Sequence, residues 1–303
     1  MLYRKLGSTG LKISAVGVGT WQFGGEWGRS YEQKEADAIL GRAAELGINL
    51  IDTAECYGDH LSESLIGPAI RGRRSDWVLA TKFGHHFHGP FSRTDVYDPQ
   101  DVVRQLEASL KALQTDYIDL YQFHSGPDAE FDRDGLWEAL GRQVEAGKIR
   151  HLGISIGSNR NVYQTSKATA VGAQAIQVVY NRLDRAPEEE VFPSCEAQQL
   201  GVLARVPLAS GFLSGKYKPG ATFPSDDVRS KRDREDADRL LREAEEIKRT
   251  EVPEGVDMAS WALAWCLRHP AVTAVIPGCK DVAQVEANAA AVAQVPAGHP
   301  QDA

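Results

Sequence analysis

Paired cysteines are missing from this sequence of 303 residues. Its four cysteines, Cys56, Cys195, Cys266 and Cys279, form no CxxC motif. Because close cysteine pairs are typical of disulfide frameworks and redox sites, their absence favours reduced thiols in an intracellular protein. A GxGxxG motif after the first strand-like run is missing as well, which disfavours a Rossmann dinucleotide site.

Long apolar segments and an excess of positive charge are also absent. No stretch approaches the roughly 20 apolar residues that span a bilayer. The opening MLYRKLGSTGLKIS lacks the apolar stretch of a signal peptide. We therefore expect a cytoplasmic protein without a membrane partner. The net charge of -8 disfavours nucleic acid as a partner.

Short apolar runs that alternate with amphipathic helical patterns occupy most of the chain. After a β-hairpin predicted over residues 1–14, with GSTG as its turn, about eight strand–helix units follow. Eight such units close an α/β fold of the (β/α)8 TIM-barrel type. The chain has a usual length for one barrel and no linker, so we expect a single domain over residues 1–303.

Local signals place helices around this barrel. Ser30 with Gln33 forms a predicted capping box, and Asp98 followed by Pro99 is typical of a helix start. The charged stretch SDDVRSKRDREDADRLLREAEEIKR predicts an extra helix inserted after strand seven. The preceding segment KPGATFPSDD is predicted to lie over a bound ligand as a flap.

Polar side chains lie at the ends of three successive strand-like runs. Asp52 is in NLIDTA and Tyr57 follows it, while Lys82 closes WVLATK and His124 closes YIDLYQFH. Because parallel strands bring their carboxyl ends together, we expect these four side chains to converge on one pocket. Taken singly, each also has a structural interpretation, as a packing residue or part of an ion pair.

A tyrosine beside a lysine can act as a general acid. Free tyrosine has a pKa near ~10, and a neighbouring ammonium is expected to lower that pKa. Tyr57 is therefore the predicted acid, and Lys82 is predicted to adjust its pKa. Asp52 would orient Lys82, and His124 would bind the oxygen that receives the proton.

The remaining strand ends offer groups for a ligand that carries phosphate. Trp21, Ser155, Gln177 and Arg205 lie in or near strands one, five, six and seven. The run PLASGFLSG contains small residues that allow close approach of a pyrophosphate, and a helix start follows Lys280. Each feature alone is also typical of an ordinary turn or surface, but a phosphate site after strands seven and eight recurs in barrels.

Together these motifs resemble the aldo-keto reductase superfamily over nearly the whole chain. The segments that carry the resemblance, in the order of that family, are GTWQFGG, IDTAECYGDHLSESLIG, TKFG, YIDLYQFH, GKIRHLGIS, PLASGFLSGKY and IPGCKDVAQVEAN. The resemblance implies reversible reduction of an aldehyde or ketone to an alcohol, with NADPH, or less often NADH, as cofactor. It also implies a catalytic tetrad of Asp52, Tyr57, Lys82 and His124.

The resemblance further implies a set of binding residues. Ser155 and Gln177 would hydrogen-bond the nicotinamide carboxamide, and Trp21 would line the substrate pocket. The positions that match the pyrophosphate loop are Leu208, Ser210, Gly211, Leu213 and Gly215. The positions that match the segment for the adenosine 2′-phosphate and adenine are Gly278, Lys280, Gln284 and Asn288.

Three residues depart from the pattern of the family. Ile156 stands where many members have an asparagine that contacts the carboxamide. Arg205 stands where many members stack a tyrosine on the nicotinamide; a guanidinium plane can also stack, but it brings a charge. Asp281 beside Lys280 partly offsets the positive charge expected near a 2′-phosphate. NADP is therefore the expected cofactor, with NAD as the less favoured one.

Two other functions stay open in the sequence. One is a slow cofactor-sensing protein similar to the β subunits of voltage-gated potassium channels, which share this barrel. The other, a metal-dependent barrel hydrolase, is disfavoured because no set of ligands has metal-binding spacing. We expect His85, His86 and His88 to form a substrate-contacting loop without a metal. The short tail VPAGHPQDA favours an open pocket and a broad range of carbonyls, while the oligomeric state is not encoded in any motif.

Overall fold

The computed structural model describes all residues from Met1 to Ala303. Its strands are β1 (Tyr3–Lys5), β2 (Lys12–Ser14), β3 (Val18–Gly19), β4 (Leu50–Asp52), β5 (Val78–Phe83), β6 (His85–Gly89), β7 (Ser92–Asp95), β8 (Ile118–His124), β9 (Ile149–Ser155), β10 (Ala173–Val179), β11 (Gly201–Arg205) and β12 (Ala274–Val275). Its α-helices are α1 (Gln33–Glu45), α2 (Leu61–Ala69), α3 (Pro99–Ala112), α4 (Asp128–Phe131), α5 (Leu136–Glu145), α6 (Val162–Ser166), α7 (Val191–Ala197), α8 (Arg234–Thr250), α9 (Met258–Leu267) and α10 (Val282–Ala290).

Eight parallel strands form a closed barrel. Their order is β3, β4, β5, β8, β9, β10, β11 and β12. The last strand pairs with the segment around the first, since Val275 N–H donates to Ala15 O at 2.9 Å and Gly17 N–H donates to Val275 O at 2.8 Å. The predicted (β/α)8 barrel is confirmed.

The barrel interior is apolar toward its amino-terminal end. Strand residues such as Leu50, Leu120 and Leu203 pack there with Leu6 and Ile13 of the N-terminal segment. The hairpin β1–β2, which the sequence predicted, therefore closes this end of the barrel. With one end filled by side chains, the chemistry is left to the carboxyl ends of the strands.

The C-terminal tail lies on the same closed end. Arg4 is fully buried and donates to Leu267 O at 2.9 Å and to Val272 O at 2.8 Å. Its Nε atom lies 3.6 Å from the carboxylate of Asp302, and Lys5 N–H donates to Gln301 O. The tail is therefore held against the hairpin and does not cover the carboxyl ends of the strands.

The predicted inserted helix is present as α8, between β11 and α9. Its buried residues Leu241, Ala244 and Ile247 recur on one face and pack against Met258 and other apolar residues. This apolar face explains why so charged a segment is helical: it packs against the protein while the charged residues on the other face stay in solvent.

The capping box predicted at Ser30 and Gln33 is wrong by two residues. Helix α1 begins at Gln33 with Glu32 as N-cap, and Glu32 and Glu35 exchange side-chain-to-backbone hydrogen bonds. The extended backbone of Glu32 lets a carboxylate take the role that serine usually has. The start predicted at Asp98 is confirmed, since its side chain accepts from Gln100 N–H at 2.9 Å.

No helix of the protein combines the length and apolar character that crossing a bilayer requires.

Candidate active site

A cavity of about 520 Å³ opens at the carboxyl ends of the barrel strands. The predicted residues Trp21, Asp52, Tyr57 and His124 line it, together with His85 of the β6–β7 hairpin. The loop predicted around His85 is thus a short hairpin, and the rings of His86 and His88 pack on each other at 4.9 Å. The structure brings the strand ends β4, β5 and β8 to one site.

The ammonium of Lys82 uses all of its hydrogen-bonding capacity within this site. Its Nζ atom lies 2.7 Å from Asp52 Oδ1, 2.7 Å from Thr53 O and 3.3 Å from Tyr57 OH. Burial alone would lower the pKa of Lys82, but the carboxylate of Asp52, and the phenolate of Tyr57 when it forms, outweigh burial and raise that pKa. Lys82 is therefore a permanent, oriented cation beside the phenol at neutral pH.

The net pKa of Tyr57 differs from the sequence-based expectation. Burial raises the pKa of Tyr57, and the ammonium of Lys82 lowers it only in part. The predicted effect of Lys82 has the right sign, but the predicted net lowering is wrong because the phenol is removed from water. Tyr57 is consequently protonated at neutral pH, which is the form that a proton donor needs.

The second oxygen of Asp52 is held by two glutamines. Gln177 Nε2 donates to Asp52 Oδ2 at 2.7 Å, and Gln122 Nε2 donates to the same oxygen at 3.2 Å. Gln177 Nε2 also donates to Gln122 Oε1 at 3.1 Å. Both side-chain amide hydrogens of Gln177 are therefore used in hydrogen bonds within the protein. Only its side-chain carbonyl oxygen, which lies 3.5 Å from the buried hydroxyl of Ser155, remains for a ligand.

His124 is a neutral imidazole at the other side of the phenol. Its ring lies edge-on to Tyr57, with 6.2 Å between centroids, and 4.8 Å from the ring of His85. Burial lowers the pKa of His124 well below its usual range, and the nearby His85, Lys82, Arg205 and Arg93 lower it further. A neutral imidazole carries a single N–H, so which nitrogen bears it matters for function.

Most of the predicted cofactor residues line the same cavity. These are Gln177, Arg205, Leu208, Ser210, Gly211, Gly278, Lys280, Gln284 and Asn288. The side chain of Leu213 does not, because positive φ angles at Ser210 (58°) and Gly211 (93°) turn the chain and bury Leu213 against Ile247 and Met258. Ser155 and Gly215 are also outside the lining, with Ser155 hidden behind Gln177.

The part of the cavity around Gly278 and Lys280 holds residues that the sequence predicted to bind the cofactor. A Cβ atom on Gly278 would lie 1.6 Å from Gln22 Nε2, so only glycine allows the side chain of Gln22 to pack on the turn after β12. Gln22 lines the cavity, and its buried Oε1 atom has no hydrogen-bond partner in the protein. Lys280 adds a cation at this end of the cavity. Next to it, the carboxylate of Asp281 accepts a hydrogen bond from the backbone N–H of Gln284 in α10 at 2.8 Å and so adds a negative charge.

A family comparison decides what this site belongs to. Residues 15–297 match the sequence model of the Aldo/keto reductase family. The chain belongs to this family. It is therefore an oxidoreductase of a family that acts on small carbonyl compounds with a nicotinamide cofactor.

Three proteins similar to this chain match it over most of both chains. A probable voltage-gated potassium channel subunit beta of Arabidopsis thaliana is 32% identical, over 98% of this chain and 92% of its own. The NADP(+) aldo-keto reductase yakc of Schizosaccharomyces pombe is 31% identical, over 94% of this chain and 85% of its own. The holo form of aldo-keto reductase AKR11C1 from Bacillus halodurans is 34% identical, with a TM-score of 0.81 and coverage of 98% and 93%.

Arg229 lines the cavity of this aldo/keto reductase, although the sequence did not predict it as a site residue. Arg229 donates to both carboxylate oxygens of Asp227, at 2.8 and 2.6 Å, and to Tyr217 OH at 2.8 Å. The segment is joined to the loop after β3 by Val228 N–H, which donates to Glu26 O at 3.0 Å. The end of the predicted flap is thus joined to the rim of the cavity, and its position over a bound ligand stays a prediction. Arg229 lies in the charged stretch from which the sequence predicted only an extra helix.

One close group of potential metal ligands adjoins the tetrad. Ligand atoms of Glu55, Cys56 and His124 all lie within 4.8 Å of one another. Burial raises the pKa of Glu55 to about 8 and raises the pKa of the Cys56 thiol well above its usual range. Both groups therefore hold their protons at neutral pH, which disfavours a cation there.

Proposed function

We propose that this protein is an NADP-dependent reductase that interconverts aldehydes or ketones and alcohols. The observation that carries the proposal is the buried ammonium of Lys82, held by Asp52 at 2.7 Å and directed at the hydroxyl of Tyr57 at 3.3 Å. The cavity beside this arrangement also extends to Lys280, which precedes the start of α10. A lysine that was only structural would not require a cavity-facing phenol as its third partner.

In this proposal Tyr57 is the proton donor. The phenol is protonated at neutral pH and its hydroxyl faces the cavity, so it can give a proton to a carbonyl oxygen placed beside it. Lys82 stabilises the phenolate that remains, and Asp52 holds Lys82 in place. His124 donates a hydrogen bond to the same oxygen and fixes the orientation of the carbonyl.

The cofactor would lie along the arm of the cavity that ends at Lys280. When bound, a reduced nicotinamide supplies the hydride that the carbonyl carbon accepts. Gln177 offers only its carbonyl oxygen there, and Arg205 lies at the end of β11 with its guanidinium donating to Ile156 O at 3.2 Å. Lys280 supports NADP over NAD, and the yakc relative is named for NADP(+), while Asp281 weakens this preference.

The substrate end of the cavity favours a broad range of small carbonyls. Trp21 and Tyr57 stack at 6.0 Å and present one aromatic wall. The C-terminal tail is bound to the hairpin at the opposite end of the barrel, so it does not narrow this opening. Selectivity would then depend on Trp21, His85 and the β6–β7 hairpin.

Steady-state kinetics test the proposal. Oxidation of NADPH and of NADH is followed at 340 nm with a panel of aliphatic, aromatic and sugar aldehydes. We expect turnover with several aldehydes and a lower KM for NADPH than for NADH. Tight cofactor binding with negligible turnover across the panel would instead support the slow cofactor-sensing protein that stayed open in the sequence.

A further inference from the structure

The thiol of Cys56 lies between the imidazole of His124 and the partly buried guanidinium of Arg93. Its Sγ atom is 3.7 Å from His124 Nδ1 and 3.5 Å from the guanidinium nitrogen Nη1 of Arg93. Cys56 is 1% exposed, so water does not compete for these contacts. The other ring nitrogen, Nε2 of His124, has no partner within the protein and remains the one open to the cavity that His124 lines.

The donors and acceptors of these three side chains favour one arrangement. A guanidinium can only donate, so the N–H of Arg93 occupies a lone pair of the sulfur. Burial keeps Cys56 in the thiol form, so the sulfur also has one proton to donate. His124 is neutral and its Nδ1 is the strong acceptor beside that thiol, because imidazole nitrogen accepts far better than sulfur.

We propose that Cys56 is a positioning residue, whose S–H donates to Nδ1 of His124 and fixes the tautomer with the proton on Nε2. That tautomer presents an N–H to the cavity, where a carbonyl oxygen needs a donor. The opposite tautomer would present a bare lone pair on Nε2 and repel the oxygen. The catalytic part of this inference rests on the proposed function, whereas the tautomer itself does not.

A buried carboxylate holds the row in place. Glu26 is fully buried and accepts from Arg93 Nη2 at 2.6 Å, from Trp21 Nε1 at 2.6 Å and from Phe91 N–H at 2.7 Å. It therefore neutralises Arg93 and ties the β6–β7 hairpin to the aromatic wall of the cavity. The row Glu26–Arg93–Cys56–His124 orients the hydrogen-bond donor as Asp52–Lys82–Tyr57 orients the acid.

The tautomer can be read directly by NMR. In protein labelled with ¹⁵N-histidine, we expect His124 to show a pyridine-type Nδ1 and a pyrrole-type Nε2, with its signals identified by their loss in His124→Gln. Cys56→Ala should mix or reverse these shifts, and Cys56→Ser should retain them because a hydroxyl also donates. A pyrrole-type Nδ1 in the unmodified protein, or an unchanged spectrum in Cys56→Ala, overturns the proposal.

Kinetics separate positioning from folding. Cys56→Ala should lower kcat by about tenfold or more with little change in KM or in cofactor affinity, and Cys56→Ser should recover most of it. Cys195→Ala removes another fully buried thiol, in α7, and should leave kcat unchanged. Equal kcat in Cys56→Ala and the unmodified enzyme contradicts the proposal. If the tautomer is found but no carbonyl is reduced, the proposed function fails while the role of Cys56 in setting the tautomer stands.

Discussion

Lys82 Nζ lies 2.7 Å from Asp52 Oδ1 in a site where Lys82 is 1% and Asp52 is 4% exposed. Removing two charges from water costs several kcal/mol for each ion, which such a pair recovers only with further hydrogen bonds. Here those bonds come from Thr53, Gln122 and Gln177. The buried ion pair keeps a cation next to the phenol of Tyr57, which is the feature that the proposed catalysis needs.

Lys82→Met should therefore change the pH dependence of the reaction. The ammonium offsets part of the burial that raises the pKa of Tyr57, so removing it raises that pKa further. In the direction of alcohol oxidation, where the phenolate accepts the proton, we expect the rise of kcat/KM with pH to shift upward. The rate of carbonyl reduction should fall by at least about 100-fold. An unchanged pH profile would count against the role of Lys82.

Arg205→Tyr should change the relative affinity for the two redox states of the cofactor. Arg205 has no acidic partner, and its Nε atom is buried without a hydrogen bond. If it stacks on the nicotinamide, its charge disfavours the cationic oxidised ring relative to the neutral reduced ring. We expect the variant to gain affinity for NADP⁺ relative to NADPH by about tenfold. Fluorescence titration with both forms measures this ratio, and an unaltered ratio would place Arg205 away from the ring.

Glu55→Gln should flatten the dependence of stability on pH. Burial raises the pKa of Glu55 to about 8, so the folded protein keeps a proton that the unfolded chain loses near its ordinary pKa. Stability therefore falls as pH rises from roughly 4.5 to 8, by on the order of a few kcal/mol. Urea unfolding at several pH values should show a smaller fall in the variant. Parallel curves for the two proteins would contradict the assigned shift.

Arg4→Met should destabilise the protein without affecting its chemistry. The substitution leaves the buried carbonyls of Leu267 and Val272 without their donor and releases Asp302 of the tail. We expect a loss of about 3 kcal/mol in the free energy of unfolding. Lys5→Met, at the exposed neighbouring position of β1, is the matched control and should cost little. Equal stability of the two variants would show that Arg4 does not hold the hairpin and tail together.

The parts of the site that the sequence predicted are those determined by local pattern. Asp52, Lys82 and His124 each end an apolar run, and parallel strands must bring such ends together. Helix α8 was also predictable, because its buried leucine and isoleucine positions recur on one face. These features depend on spacing along the chain and on few long-range details.

The parts that the sequence missed depend on burial and on contacts between distant segments. The net pKa of Tyr57 follows from removal of water, which no motif encodes. Cys56 meets His124 across 68 positions, and Leu213 turns inward because Ser210 and Gly211 adopt positive φ angles. Arg229 reaches the cavity because Asp227 and Tyr217 fold its segment back over the rim.

The central claim is that the hydroxyl of Tyr57 delivers the proton, and Tyr57→Phe tests it most directly. The measurement is single-turnover oxidation of bound NADPH by an aldehyde, combined with a titration of NADPH binding. We predict a fall in rate of at least about 100-fold with cofactor affinity unchanged. Tyr3→Phe, which loses a hydroxyl bonded to Gly47 O far from the cavity, should behave like the unmodified enzyme. A Tyr57→Phe variant that reduces the aldehyde at the full rate would contradict the account.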